Sequence, residues 1–308
     1  MKKTIKYFIA GGVALSMLSL VTLVSCGDDP STLPKIDGYN NSNEVAAENL
    51  KAHWTFDDTN EEDISGTNPL AGVAGTFGTV GFEDGQIGQA LKLDSGALVY
   101  PPITALNTAS ALGNFTVSMW VYVKNNGGSD REGFTSFFGL FPETGGDFIW
   151  GNIALTAETS RWPATGPVGD TMQINAHIVT INPDLSNNRQ DNINDPRADP
   201  PVGVFKPSGT WFHYVLRWNA TDHQLQIFGN ATSIGRFDDR GTTPALVMRV
   251  PCKAIFGSLA SQDLGFAANA TRSFNPMATA SIDDVRVFNT ALDDLEITAL
   301  FNLGTAGR

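Results

Sequence analysis

The stretch ATASIDDVRVFNTALDDLEI, residues 278–297, decides how the chain is read. Ile282, Val285, Val287 and Phe288 mark a strand, yet two adjacent carboxylates, Asp283 and Asp284, stand at its opening. A carboxylate turned into a core costs several kcal/mol unless its charge is compensated. Alternation puts Asp283, Val285 and Val287 on one face and Ile282, Asp284, Arg286 and Phe288 on the other. The first set reads as core-facing, with Asp283 at the rim; Asp284 shares a face with Arg286, where it is solvated or paired. The residues that follow, TALDDLEITALFNLG, read as a helix. Asp293, Asp294 and Glu296 lie near its start, Leu295, Leu300 and Phe301 give an apolar side, and Gly304 can stop it.

Upstream, LKAHWTFDD, QALKLDSGALVYP, FTVSMWVYV, WFHYVLRWN, HQLQIFGN and AIFGSLA alternate or are rich in β-formers, and turn residues bound most of them. WFHYVLRWNATDHQLQIFGN reads as a hairpin about residues 219–223. Between 124 and 209 the chain lengthens. GFTSFFGL, DFIWGNIALTAE and TMQINAHIVTI are expected strands, and 182–209 is an aperiodic loop of the kind that is functional or mobile. With 42% apolar and 17% charged residues, 31 Gly and 16 Pro, the composition is that of a folded, turn-rich β protein.

The first 25 residues stand apart. Lys2, Lys3 and Lys6 precede an uncharged run from Tyr7 to Ser25, the layout of a secretory leader. LVSC, residues 23–26, resembles the bacterial lipobox, so Cys26 is the expected lipidation site. The acidic pair Asp28 and Asp29 behind it resembles a surface-export signal. Residues 26–47 are polar and read as a flexible tether, and residues 48–308 as one domain. Lipidation of Cys26 leaves Cys252 without a disulfide partner, to be read as a small buried hydrophobe. Loss of the leader's three lysines moves the net charge from −12 to −15, and no basic stripe is present, which excludes nucleic acid as a partner.

Five segments, beginning at His53, Gly85, Phe115, Trp211 and Ala280, resemble in order the laminin-G-like jelly-roll domain of the concanavalin A-like superfamily. They are HWTFDD…DISGTNPLAG, GQIGQALKLDSGALV, FTVSMWVYV, WFHYVLRWNATDHQLQIFGN and ASIDDVRVFNTALDDLEITALFN. The resemblance implies an all-β, two-sheet antiparallel jelly-roll sandwich with one short C-terminal helix, interrupted by a long insertion at about 124–209. It also implies that the last strand runs near the first, bringing Asp57 to Asp283, and that a structural Ca²⁺ lies between them. The alternative is that Asp283 accepts backbone N–H groups at a turn and Asp57 caps a strand end.

The superfamily includes glycoside hydrolases, which need two carboxylates about 5–9.5 Å apart. Of nine glutamates only Glu158 falls in an expected strand, alone, and Glu61-x-Asp63 meets Gly66 where a second Glu would stand. The four histidines show no metal spacing, and His213 reads as structural. Binding is therefore expected rather than catalysis. Trp54, Trp120, Trp211 and Trp218 read as core, and Trp150 as ambiguous. Trp162, in TSRWPATGP beside Arg161, reads either as an exposed sugar platform or as loop packing, and Arg189, Gln190, Asp191 and Asn192 are the candidate hydrogen-bonding residues around a platform. The expectation is a non-catalytic carbohydrate-binding lipoprotein of the outer membrane, facing the cell surface and serving a polysaccharide-uptake complex. The alternatives are a protein-binding or adhesive module and, behind it, a hydrolase or lyase.

Overall fold

Strands of alternating character bury one side each, and here those sides meet in two layers. The computed structural model describes residues 33–108, 111–124, 134–142, 149–159, 172–180, 189–193, 204–205, 208–237, 248–267 and 269–308. In chain order the strands among them are β1 (Leu50–Trp54), β2 (Thr76–Asp84), β3 (Gln89–Tyr100), β4 (Phe115–Tyr122), β5 (Phe134–Pro142), β6 (Ile153–Glu158) and β7 (Met172–Thr180). They continue as β8 (Arg189–Ile193), β9 (Val204–Phe205), β10 (Phe212–Asn219), β11 (Gln224–Gly229), β12 (Thr232–Phe237), β13 (Pro251–Phe256) and β14 (Ala278–Phe288), and one helix, α1 (Asp294–Thr305), follows. All pair antiparallel, in the order β12-β11-β10-β4-β14-β3-β13-β5-β6-β7-β8, with β1 added to β14, β2 to β3 and β9 to β7.

The long strand β3 curls this sheet into a sandwich of the jelly-roll type. Its Leu91 and Leu93 pair with β14, whereas Leu98, Val99 and Tyr100 pair with β13. The two layers meet in one core: the Tyr214 hydroxyl on β10 donates to the Asn175 carbonyl on β7 (2.6 Å), and Phe137 meets the Tyr214 ring edge-on at 6.3 Å. Trp54 closes one end against Tyr100, Phe138 and Phe256, at 5.6, 5.6 and 5.2 Å between ring centroids.

Strict alternation fails at Asp283 and Asp284. Asp283 lies opposite Trp120 and Arg286 opposite Ser118, so Asp284 and Val285 together face one position of β4. This is a β-bulge, and Asp284 takes the left-handed conformation (φ +47°). The extra residue shifts the period by one, so Ile282, Val285 and Val287 all enter the core. Asp283 is therefore not in line with the two valines, and Ile282 does not share a face with Phe288, which packs in the cluster on the outer side of this layer.

That outer side is covered by α1 and by residues 34–49. Asp293 caps the helix by accepting the Glu296 N–H, and Glu296 accepts the Asp293 N–H in return. Ile297, Leu300 and Leu303 face the sheet and pack with Val45, Val215, Phe228, Phe288 and Leu292, while Leu295, expected on the apolar side, is 78% exposed. The helix continues through Gly304, whose missing side chain lets it lie on Trp120; a Cβ there would sit 2.5 Å from the indole nitrogen.

The expected tether gives way to packed chain from Pro34 onward. Val45 and Ser42 are buried, and the Arg308 guanidinium donates to the carbonyls of Pro34 (2.9 Å) and Asn40 (2.6 Å). The compact unit accordingly runs from Pro34 to Arg308 rather than from residue 48. A chain starting at Leu50 would lose the Ser42–Arg286 contact and the Val45 packing. It is expected to melt several degrees below a chain starting at Pro34, at about 2–4 °C per kcal/mol lost; equal melting temperatures in a thermal scan would refute this covering role.

Candidate functional site

The carboxylates that open β14 have separate partners. Asp284 is buried and accepts from Arg286 through both oxygens, at 3.0 Å from Nε and 2.7 Å from Nη2, and its Oδ1 lies 2.8 Å from His53 Nε2 on β1. Arg286 also donates to the Ser42 hydroxyl (2.9 Å). Burial alone would raise the Asp284 pKa; the Arg286 guanidinium and His53 override it and hold the carboxyl well below the usual range. Glu62 acts similarly one loop away, its buried carboxylate accepting the N–H groups of His53 (2.7 Å), Ile64 (3.2 Å) and Ser65 (2.7 Å).

Asp283 and Asp57 meet a shared turn, residues 85–89. Asp283 Oδ2 accepts the N–H groups of Gln86 and Ile87 (2.8 Å each), and Asp57 Oδ1 accepts that of Gln89 (2.7 Å). Both glycines of this GQIG turn are obligatory: a Cβ on Gly85 would lie 2.6 Å from Asp283, and one on Gly88 2.2 Å from Asp57. Calcium takes about 6–8 oxygen ligands, but the groups aimed at these carboxylates are N–H donors. Among the described residues no cluster of three or more His, Cys, Asp or Glu is placed to hold a metal ion. These N–H contacts are those of the turn-clamping alternative. Asp283 Oδ1 is buried with no hydrogen-bond partner. Burial pushes the Asp283 pKa up to about 8, with the Asp284 charge adding to it, against the pull of the turn N–H groups.

Beyond the end of α1 the same outer face is open. A groove of about 500 Å³ lies there, lined by Tyr122 at the end of β4, Trp211 just before β10, Glu83 and Asp84 on β2, Lys92 on β3, Lys124, and Thr279 and Ser281 on β14. The half-buried rings of Trp211 and Tyr122 stand 5.9 Å apart at 53°, and the Lys124 ammonium lies 6.0 Å from the Tyr122 ring centre. Lys92 Nζ is 2.6 Å from Glu83 Oε2, and the Ser281 hydroxyl donates to Glu83 Oε1. Partial burial would raise the Glu83 pKa, but Lys92 and Ser281 outweigh it and hold it below the ordinary value. Flat apolar rings beside an exposed donor–acceptor pair suit a ligand with an apolar face and a polar rim. A second groove of about 430 Å³, between Arg217 and Asp294, has no aromatic lining.

Trp211, expected in the core, is the groove residue that alternation does not reveal. Trp54, Trp120 and Trp218 are buried as expected, and Trp150 is half-buried, stacked on His177 with ring centres 3.9 Å apart. His213 is buried against the Ser118 hydroxyl (2.7 Å), and burial lowers its pKa to about 3. Cys252, expected to be buried, is half-exposed. Cys26, Arg161 and Trp162 lie outside the described residues. Arg189 and Asp191 fall on β8, opposite Thr180 and Ile178 of β7, so the expected loop of 182–209 contains strand; their side chains lie outside the description.

No protein-family model and no curated protein matches the sequence. Solved structures match the fold. The binding domain of botulinum neurotoxin DC in complex with SialylT superposes with a TM-score of 0.50 at 13% identity, over 85% of this chain and 52% of its own. The binding domain of Paraclostridial Mosquitocidal Protein 1 gives 0.52 at 14% identity, over 83% and 52%. A structure reported for the dependence of botulinum neurotoxin type C cell entry on two ganglioside molecules gives 0.50 at 13%, over 84% and 53%. The chain thus spans about half the length of the domains it resembles, and at this identity the likeness is one of fold.

The carboxylates predict pH behaviour of opposite sign. Asp283 is raised above its ordinary 3.8, so between about pH 4 and 8 the folded state holds a proton that the unfolded state releases, and stability falls as pH rises through that window. Asp283→Asn should flatten this part of a melting-temperature profile. Asp284 is lowered, so its contribution is present above about pH 4 and lost on acidification. Removing one partner, as in Arg286→Ala, should cost about 3–5 kcal/mol in urea unfolding. EDTA should leave the melting temperature unchanged, and a drop that Ca²⁺ restores would refute the turn-clamp assignment.

Proposed function

We propose that this chain is a non-catalytic glycan-binding module of laminin-G-like type, with the Trp211–Tyr122 groove as its binding site. The observation that carries the proposal is the pair of groove-lining rings set beside the Lys92–Glu83 pair, on the part of the sheet that α1 leaves open. Sugars present an apolar C–H face and a rim of hydroxyls, which such a site complements. The descriptions of the fold neighbours name SialylT and gangliosides as ligands, which supports a glycan as the partner. The lipobox-like LVSC supports lipid attachment at Cys26, and the acidic pair Asp28 and Asp29 supports outward display from an outer membrane, where a binding module would deliver polysaccharide to an uptake complex. The sequence offers Trp162, with Arg161, Arg189 and Asp191, as a further candidate contact to the glycan.

Native gels cast with a panel of polysaccharides test the proposal. Retardation of the chain is expected, and Trp211→Ala and Tyr122→Ala should each weaken it about tenfold, the loss of roughly 1.4 kcal/mol of stacking, without lowering the melting temperature. Retardation that neither substitution changes would place the binding elsewhere. Absence of retardation across the panel, with capture of an envelope protein, would favour the adhesive alternative; one fold neighbour is described in complex with rat synaptotagmin II. Release of reducing ends would make the protein an enzyme.

A further inference from the structure

Resting on the reading that this groove holds a glycan, we infer that its ligand is an uncharged sugar, recognised through two neighbouring ring hydroxyls by Glu83 and Lys92. The first ground is charge. The chain carries −12 overall, yet the groove wall sets two lysines, Lys92 and Lys124, against two carboxylates, Glu83 and Asp84. An anionic ligand meets the carboxylates and a cationic one the ammonium groups, and like charges brought together at an interface are costly. A neutral ligand meets neither.

The second ground is the geometry of the pair. Glu83 Oε2 and Lys92 Nζ are 2.6 Å apart, with side chains 32% and 54% exposed. An ionised carboxylate has about four lone-pair sites and an ammonium three N–H donors. Ser281 and Lys92 occupy only part of that capacity. What remains is an acceptor beside a donor, both open to the groove. Two hydroxyls on adjacent ring carbons match this arrangement, one donating to Glu83 and its neighbour accepting from Lys92 Nζ. Ser281 fixes the carboxylate from the β14 side, and Trp211 and Tyr122 supply the face on which the ring lies. A site built to hydrogen-bond particular hydroxyls strongly rejects analogues that lack them.

The test uses the purified full chain in gels containing a neutral β-glucan, a polyuronate or a sulfated glycan, at about 0.1 M and 1 M salt, where the screening length falls from about 10 to 3 Å. The neutral glycan should retard the chain equally, within about twofold, at both salt concentrations, and the charged glycans should not. Glu83→Gln and Lys92→Gln should each weaken retardation at least tenfold with the melting temperature unchanged. Preference for the polyuronate or sulfated glycan, lost at high salt, would overturn this inference while leaving the glycan reading intact. So would indifference to both substitutions when Trp211→Ala still weakens binding about tenfold. No retardation by any glycan would overturn the reading itself, and this inference with it.

Discussion

The Arg286–Asp284 pair, buried between β1, β14 and the N-terminal segment, is the constraint on which the rest depends. Two charges taken out of water must satisfy each other and find further hydrogen bonds, or the fold does not repay their desolvation. Asp284 meets this condition by accepting both guanidinium bonds and facing His53; Arg286 meets it by donating to Ser42. The bulge makes the arrangement possible. By inserting Asp284 out of register, it sends Ile282, Val285 and Val287 into one core and leaves the polar side chains on the opposite face. Residues 34–49 and α1 then close over them, so the chain's two ends are held together through its most buried charges.

The groove follows from where that cover runs out. Helix α1 is 12 residues long, or about 18 Å, and it lies along β4. At its start Thr116 donates to the Thr290 carbonyl; at its end Gly304 rests on Trp120 and Phe301 stacks on the same ring at 5.8 Å. The next outward position on β4 is Tyr122, beyond the helix. There β2, β3 and β14 bring Glu83, Lys92 and Ser281 beside it, and the turn clamped by Asp57 and Asp283 joins β2 to β3. Asp57 and Asp283 thus shape the edge of the candidate binding groove through backbone N–H bonds.

Much of the frame was legible without coordinates. The hairpin formed where expected, with Asn219 paired to Gln224 around its turn. The helix began at the expected acidic cluster because Asp293 and Glu296 stand at capping-box spacing. Strand β2, with its three glycine-spaced apolar residues and no clean alternation, passed unread, although it supplies one wall of the groove. Leu295 and Trp211 were assigned to packing because apolar character alone does not distinguish a covered position from an open one.

The sequence by itself determined the β-rich, turn-bounded character of the chain, most of its strands, its helix and its acidic charge, since these follow from local periods, caps and charge counts. Only the tertiary structure decided which side each β14 residue faces, because a single left-handed residue at Asp284 breaks the two-residue period without altering composition. Only the tertiary structure decided that residues 34–49 pack rather than dangle, since their partners, Arg286, Arg308 and Leu303, stand some 240 or more positions away in the chain. And it alone decided that Trp211 and Tyr122 form an open pair, because whether an aromatic at a strand end is covered depends on how far a distant helix reaches.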